Sequence, residues 1–470
     1  MDSYYREKVS FDAKLLDLSG REVLVDCNLR LPAIWGEKVE INIGIPHSEM
    51  PINVFENPCQ LSSLQDAPNY RVEMGEVCYR KITTGLHQAR KFGLSPIILT
   101  HVAHLKIVDQ CPNGESKFYI CITPNDYLSD NTSLDSSQML EELTSFHCST
   151  LGEIKLQRYW VKSRVSSSND YALKSGYWLE VSADMHKYEA NQILQMISPI
   201  LDILSIIFRQ RVSVVGWQSL QSGVRTRYWI YPIEPSETHY AGLEPKKYVA
   251  SINDLSEVVN KAIHTHKLLQ GRGRQWLFFL SYGLSPAIQL QDAERFMSLF
   301  RTLEKISSES YEPKAPTDAN KVAAEMLQDL ADSMEEMGLD TSSRMKGFAK
   351  MLTNGDSPLA DKIINFLNAH SVSFKDLWDI EGKKKGLIGI RNKLAHGGAH
   401  YINHQSLAVA TFHLSVLAER VACTLLEIPW KESHRREMRD EWLDPSYVQV
   451  LQNEVLKVKN VYEEKHGTAK

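Results

Sequence analysis

The stretch IRNKLAHGG, residues 390–398, places an arginine five residues before a histidine in an otherwise apolar segment. Asn392 directly follows Arg391, and two glycines directly follow His396. A neutral imidazole can accept a proton, an imidazolium can donate one, and a guanidinium can hold two phosphate oxygens. These residue types therefore suit cleavage of an RNA phosphodiester by its own 2′-hydroxyl, a reaction that also needs charge to stabilise the phosphorane.

The apolar residues around this pair recur at helical spacing. One face carries four of them, Leu387, Ile388, Ile390 and Leu394. Gly397 suits the position that ends a helix in the left-handed conformation. Residues five apart on a continuous helix are turned by about 140° from each other, so Arg391 and His396 would not share a face. We therefore predict a helix that stops at the glycines and carries His396 at its end.

Four lysines lie close to the pair in sequence, and they would provide a local binding site for phosphates. They are Lys393 inside the helix and Lys383, Lys384 and Lys385 before it. The formal net charge of the chain is -5, so attraction to a polyanion must come from such a patch rather than from the whole surface. The three consecutive lysines also fit a solvated loop. The chemistry requires no cofactor and no metal.

The first half of the chain shows the period-two alternation of half-buried strands. The clearest runs are 9–15, 23–29 and 39–45, and further strand candidates are 97–108, 117–123, 177–181 and 227–230. A strong helix is predicted among them at 187–209; its apolar stretch is interrupted by polar residues and by Pro199, which indicates a buried helix rather than a membrane span. The first half is therefore predicted to be β-rich.

From about residue 253 the apolar period becomes helical, with Leu255 and Val258, then Phe296 and Phe300, and then a third set. That third set is Val322, Met326 and Leu330. The last long helix is predicted at 403–426, with an apolar stripe facing a core or a partner helix. We therefore predict an α+β protein, with a β-rich amino-terminal domain at 1–250 and an all-α helical bundle at 251–470.

The segment RNKLAH, 391–396, resembles the R-x(4–6)-H motif of HEPN ribonucleases, in which a polar residue follows the arginine. The segment RFMSLFRTLEKI, 295–306, resembles the early HEPN helix that carries an acidic residue toward the active site, and Glu304 is its best match. A β-rich region ending in a helix such as LDILSIIFRQRV, 201–212, followed by a helical half, is similar to ApeA-type anti-phage defence proteins. The HEPN resemblance covers roughly 255–430.

The resemblance implies a metal-independent endoribonuclease in which Arg391, His396, Asn392 and Glu304 are the catalytic residues. It further implies a homodimer through the HEPN domain, whose two motifs meet in one cleft and leave a 2′,3′-cyclic phosphate. The expected partners are an RNA substrate, with tRNA as one candidate, and a phage-derived trigger that acts on the amino-terminal domain. No membrane partner is expected.

Other features of the sequence favour a cytoplasmic protein with reduced thiols. The first ten residues, MDSYYREKVS, contain no apolar signal core. The seven cysteines are odd in number and show no CxxC pair.

Two alternatives to the nuclease remain open. The first is a catalytically inactive HEPN module for dimerisation or RNA binding. The second is a metal hydrolase that uses His396, His400 and His404, although Gly397 and Gly398 would interrupt the helix between the first two.

Two smaller ambiguities also remain. The spacing of Arg80 and His87 fits the R-x(4–6)-H motif as well, but their surroundings read as a β-region with a turn. Tyr228 and Trp229 could stack on bases or pack across strands.

Overall fold

The structure is a computed structural model, and it describes about 70% of the chain. The described residues are 8–16, 20, 22–32, 34–37, 39–46, 59–63, 70–78, 85–89, 93–102, 104–112, 115–123, 140–164, 171–182, 187–230, 253–268, 276–284, 291–310, 318–338, 341–353, 358–381, 384–429 and 440–455.

One antiparallel sheet of fourteen strands dominates the described part of the amino-terminal half. The strands are β1 (Lys8–Leu16), β2 (Glu22–Arg30), β3 (Glu40–Gly44), β4 (Cys59–Ser63), β5 (Tyr70–Cys78), β6 (Gly85–Ala89), β7 (Gly93–Val102), β8 (His104–Gln110), β9 (Lys117–Ile122), β10 (Leu140–Cys148), β11 (Gly152–Arg164), β12 (Tyr171–Val181), β13 (Val214–Gln221) and β14 (Val224–Ile230). Their spatial order is β10-β11-β12-β9-β13-β14-β8-β5-β4-β1-β2-β3-β7-β6, with a further pairing of β5 with β7.

The first three strands have the alternating burial that their sequences predict. In β1, Val9, Phe11, Ala13 and Leu15 are buried, and the residues between them are partly exposed. The runs 23–29 and 39–45 alternate in the same way except at Asp26 and Gly44, which are buried as well. Since successive side chains of a strand point to opposite faces, one face of this part of the sheet forms a core and the other meets solvent.

The sequence prediction was wrong about the stretch 97–108, which is two strands rather than one. β7 pairs with β3, β6 and one end of β5, whereas β8 pairs with β14 and the rest of β5, so the two parts of the stretch are separate strands. The other candidate strands at 117–123, 177–181 and 227–230 are confirmed as parts of β9, β12 and β14.

Side chains of β14 pack across strands, which settles their ambiguous role. Trp229 stacks on Trp35 with 4.4 Å between ring centroids, and Tyr228 stacks on Trp217. Arg227 forms an ion pair with Asp109 on the neighbouring strand β8. Such cross-strand pairs stabilise a sheet, and they leave these side chains engaged within the protein.

Ten α-helices lie in the described residues, one among the strands and nine after them. They are α1 (Ala190–Phe208), α2 (Leu255–Leu268), α3 (Trp276–Leu284), α4 (Asp292–Glu309), α5 (Asp318–Glu336), α6 (Ser342–Thr353), α7 (Leu359–Ala369), α8 (Leu387–Ala395), α9 (His404–Leu425) and α10 (Pro445–Glu454). An antiparallel sheet region followed by a helical region is the predicted α+β class.

The chain divides into two compact units. The first comprises 1–208, 212–235 and 250–260, and the second comprises 209–211, 236–249 and 261–470. The predicted boundary at residue 250 lies outside the described residues and stays a prediction.

The centre of the helical unit is α9, which is buried on almost every side. Asn403 caps its first turn, since the Asn403 side chain accepts a hydrogen bond from the Ser406 amide. Glu419 on α9 is buried and forms an ion pair with Arg209. By length and composition α1 and α9 could each cross a membrane, but both are mostly buried inside the protein, as core helices of soluble proteins are.

One of the apolar sets with helical spacing is not in a core. The residues Val322, Met326 and Leu330 lie on α5 and are exposed. The predicted helix is present, but its apolar face is uncovered.

Five cysteines whose side chains the structure describes are thiols that form no disulfide: Cys27, Cys111, Cys121, Cys148 and Cys423. Burial raises the pKa of the Cys121 and Cys423 thiols well above the ordinary value. Because the thiolate is the reactive form, these two cysteines are chemically inert positions of the core.

Candidate functional site

The short helix α8 carries Arg391 at its middle, and His396 directly follows its last residue. Leu387 and Ile390 are buried and fix the helix against α4 and α9. The amino end of α8 is held by backbone bonds, since the amides of Leu387 and Ile388 donate to the carbonyls of Asp379 and Ile380. The amino-terminal end of the helix is therefore fixed in position, in addition to its buried face.

The segment that holds α8 is in turn fixed to α9. The Trp378 amide donates to Nδ1 of the buried His413, and the Trp378 indole donates to the Lys385 carbonyl. Nε2 of His413 lies 2.6 Å from the Trp442 carbonyl. Since Nδ1 accepts this hydrogen bond, Nε2 carries the ring proton and donates it to the Trp442 carbonyl. His413 is therefore a neutral imidazole that fixes the backbone of Trp378 and Trp442. Arg420 adds a bidentate pair with Asp376 at 2.8 Å.

The end of α8 has the geometry that the glycines predict. Gly397 has φ +74°, the Gly398 amide donates to the Lys393 carbonyl, and the Gly397 amide donates to the Leu394 carbonyl. These two bonds define a Schellman motif with glycine in the left-handed position. His396 is the C-cap residue and is exposed. Its imidazole therefore lies at the helix end and is accessible from solvent.

Arg391 lies against α4, where it meets Glu304. Its Nη2 donates to Glu304 Oε1 at 2.6 Å, although the two residues are 87 positions apart in sequence. Glu304 is partly buried on α4, next to the fully buried Leu303. A charge-assisted bond of this kind orients the guanidinium as well as attracting it. The expected approach of Glu304 to Arg391 is observed.

Asn392 also contacts the guanidinium. Nη1 of Arg391 donates to Asn392 Oδ1 at 3.2 Å. A guanidinium has five N–H donors, and these two bonds use one on each terminal nitrogen. A second N–H remains on each terminal nitrogen, and the Asn392 amide group keeps its own donors. This arrangement can bind the oxygens of a phosphate while Glu304 holds the arginine in place.

The predicted phosphate-binding lysines differ in their exposure and in the groups that they contact. Lys384 is exposed, whereas Lys385 donates from Nζ to Asn453 Oδ1 on α10 at 2.8 Å. Lys393 has its Nζ 6.0 Å from the centre of the Tyr401 ring. Lys383 lies outside the described residues. Lys384 and Lys385 are thus exposed just before the helix, and Lys393 is partly exposed within it.

Comparison of the chain with protein-family models, curated proteins and solved structures gave no match.

The three histidines at four-residue steps do not line one helix face. His396 ends α8, His400 lies in the 3-10 helix Ala399–Tyr401, and His404 begins α9. Within the described ranges, no group of three or more His, Cys, Asp or Glu side chains is arranged to hold a metal ion. The other Arg–His pair of similar spacing is only partly described: His87 lies on β6, and Arg80 is outside the described residues.

Tyr401 is a candidate binding residue that the sequence analysis missed. It is 41% exposed, and its ring lies 3.9 Å from that of His400, which is exposed as well. The Tyr401 amide donates to the Gly398 carbonyl, so this residue is held three positions beyond the glycines that follow His396. An aromatic residue three positions after the glycines that end the motif helix is the signal that could have identified it.

Proposed function

We propose that the protein is a metal-independent endoribonuclease of the HEPN type, which cleaves RNA by attack of a 2′-hydroxyl on the adjacent phosphodiester. The observation that carries the proposal is the contact between Glu304 and Arg391 at 2.6 Å on a helix that ends at the exposed His396. The motif spacing alone is common in proteins. That spacing does not require an acidic residue from another helix to contact the arginine, as Glu304 does.

The roles follow from the chemistry of the side chains. A neutral His396 accepts the proton of the 2′-hydroxyl, whose oxygen then attacks phosphorus and forms the phosphorane. Arg391 and Asn392 donate hydrogen bonds to the non-bridging oxygens, where negative charge accumulates. An imidazolium donates a proton to the departing 5′-oxygen. The products are a 2′,3′-cyclic phosphate and a 5′-hydroxyl.

One protomer supplies one His396, whereas the reaction uses a proton acceptor and a proton donor at the same phosphodiester. A homodimer through the helical domain would supply two histidines and two arginines to one cleft. The described hydrogen bonds of Arg391 lead to Glu304 and Asn392, not to His396, which suits a site completed by a second copy.

The amino-terminal sheet domain is assigned a regulatory role in this proposal. An unrestrained ribonuclease would destroy the RNA of its own cell, so the cytoplasmic enzyme needs a domain that inhibits it or senses a trigger. Anti-phage defence by abortive infection, with a phage-derived trigger and tRNA as a candidate substrate, is the role that the ApeA resemblance implies.

The products of the reaction provide the direct test. Because imidazole and guanidinium groups perform the proposed chemistry, we expect cleavage by the purified protein to continue in excess EDTA. We expect the 3′ ends of the fragments to carry a cyclic phosphate, which polynucleotide kinase with 3′-phosphatase activity would remove. Fragments with a 3′-hydroxyl, or activity that returns only with added zinc or manganese, would favour a metal hydrolase instead.

The exposed ring of Tyr401 should bind a nucleobase next to the cleaved bond. Stacking of a base on an aromatic residue contributes about 1–3 kcal/mol, so Tyr401→Ser should weaken RNA binding by roughly 5- to 150-fold. Tyr401→Phe keeps the stacking surface and serves as the matched control. Fluorescence anisotropy with a labelled single-stranded RNA measures both, in a His396→Ala background that prevents cleavage. Equal affinities of the serine and phenylalanine variants would remove Tyr401 from the site.

A further inference from the structure

Arg301 is an exposed cation on α4, three residues before Glu304. Side chains three positions apart on a helix are neighbours, with about 5–6 Å between their Cβ atoms. Glu304 in turn accepts the hydrogen bond from Nη2 of Arg391 at 2.6 Å. A second guanidinium therefore lies next to the contact that joins α4 to the motif arginine.

The charges around this contact do not balance. Glu304 is paired with Arg391, and no ion pair joins Arg301 to another residue in the described part of the chain. Glu309, the next carboxylate along α4, pairs with Lys305 at 3.3 Å. Two guanidinium groups beside one carboxylate leave a net positive charge, which attracts an anion.

The two flanks of α8 carry different binding groups. At 3.6 residues per turn, Arg391 and Lys393 are turned by about 160° from each other. The flank of Arg391 meets α4, and the flank of Lys393 faces Tyr401, whose ring centre lies 6.0 Å from Nζ. Asn392 lies between the two flanks and is exposed, as is His396 at the helix end.

A single RNA strand that crosses α8 over Asn392 and His396 would meet both flanks. On one side a base can stack on Tyr401, because every base has an aromatic face. On the other side the strand leaves the helix at Arg391 and continues over α4, where Arg301 is exposed. A guanidinium suits this position, because its N–H groups can bind two oxygens of one phosphate.

We infer that Arg301 binds the phosphate next to the cleaved phosphodiester, so that single-stranded RNA crosses α8 from Tyr401 to Arg301. The inference rests on the proposed nuclease function and adds to it a binding residue and the path of the strand. Arg301 transfers no proton and contacts a phosphate that stays intact. It positions the substrate, and the chemistry remains with Arg391 and His396.

Arg301→Ala should weaken the binding of single-stranded RNA by about tenfold, since a charged hydrogen-bonded contact is lost. Each phosphate contact on a single strand contributes about 0.7 to the slope of log affinity against log salt concentration, so the slope should become shallower by about this amount. Fluorescence anisotropy with a short labelled RNA measures both quantities. A His396→Ala background prevents cleavage during the measurement.

Lys305→Ala is the matched control. Lys305 is also an exposed cation of α4, but it is already paired with Glu309. It is turned by about 100° from Glu304 around the helix, whereas Arg301 is turned by about 60°. The Lys305→Ala protein should bind RNA like its parent. Both side chains are exposed, so neither change should affect the fold, and circular dichroism checks this.

A neutral methylphosphonate, placed at one linkage of the RNA at a time, identifies the phosphate that Arg301 binds. In the His396→Ala protein, one substitution next to the linkage that the wild type cleaves should weaken binding by about tenfold. The same substitution should have little effect once Arg301→Ala is added, because the contact can be lost only once.

Two results would overturn the inference while leaving the nuclease proposal in place. In the first, Arg301→Ala matches Lys305→Ala in RNA affinity and in salt dependence. In the second, Arg301→Ala weakens binding, but every methylphosphonate adds its full effect to that change. A wild-type protein that neither binds nor cleaves single-stranded RNA would instead contradict the proposed function, and this inference with it.

Discussion

Replacement of His396 by alanine is expected to slow RNA cleavage by about 10²- to 10⁴-fold. The variant removes the group that accepts or donates the proton at the cleaved phosphodiester, and no other histidine lies on α8. The fold should be unaffected, because His396 caps the helix through its backbone amide and its imidazole is exposed. Arg391→Ala should be comparably damaging, since it removes the donors to the phosphorane. Rates of cleavage of total RNA or a tRNA pool measure both effects.

The matched control for this experiment is His87→Ala. Its pairing with Arg80 also fits the motif spacing, but His87 lies on strand β6 of the sheet domain. The His87→Ala protein should cleave RNA at the wild-type rate. A His396→Ala protein that is folded and cleaves RNA at the wild-type rate would eliminate the nuclease proposal, whatever the result for the control.

Mixed dimers of the two inactive variants should recover cleavage. An Arg391→Ala homodimer has two histidines and no arginine in the cleft, and a His396→Ala homodimer has two arginines and no histidine. The heterodimer has one of each, so a shared cleft would contain a partial site with measurable activity. Co-expression with two different affinity tags and sequential purification isolates the heterodimer, and its cleavage rate is compared with those of both parents.

The same experiment distinguishes a shared cleft from two separate sites. If each protomer needs its own Arg391 and His396, the heterodimer contains no complete site and remains as inactive as its parents. A wild-type enzyme that is active as a monomer in analytical ultracentrifugation would also contradict the shared cleft. Both outcomes would still leave the single-site variants to decide whether the protein is a nuclease.

Local patterns in the sequence predicted much of this fold. The alternation in β1 to β3 and the stripe of α9 depend on neighbouring residues in one element, so their period reveals them. The helix end at Gly397 was predictable for the same reason, because glycine favours the left-handed backbone that a Schellman motif requires. The contact of Glu304 with Arg391 was expected from the family resemblance rather than from any periodicity.

Features that depend on tertiary neighbours were not predictable in the same way. The division of 97–108 into two strands depends on which strands each part pairs with. The positioning of α8 by Trp378 and His413 joins elements that have no common pattern in sequence. The stripe of α5 has the period of a core helix, and period alone does not tell whether a core lies against it.

The turn after His396 requires glycine at 397 because of its left-handed backbone conformation, not because space for a side chain is lacking. A Cβ atom on Gly397 would meet no atom within 4 Å, so the site has room for a side chain. An L-residue would nevertheless be strained there by roughly 1–2 kcal/mol, whereas a D-residue adopts this backbone conformation without strain. A D-alanine introduced at 397 by chemical ligation would therefore preserve the turn that L-alanine loosens. The orientation of the imidazole is thus tied to the chirality of the residue that follows it.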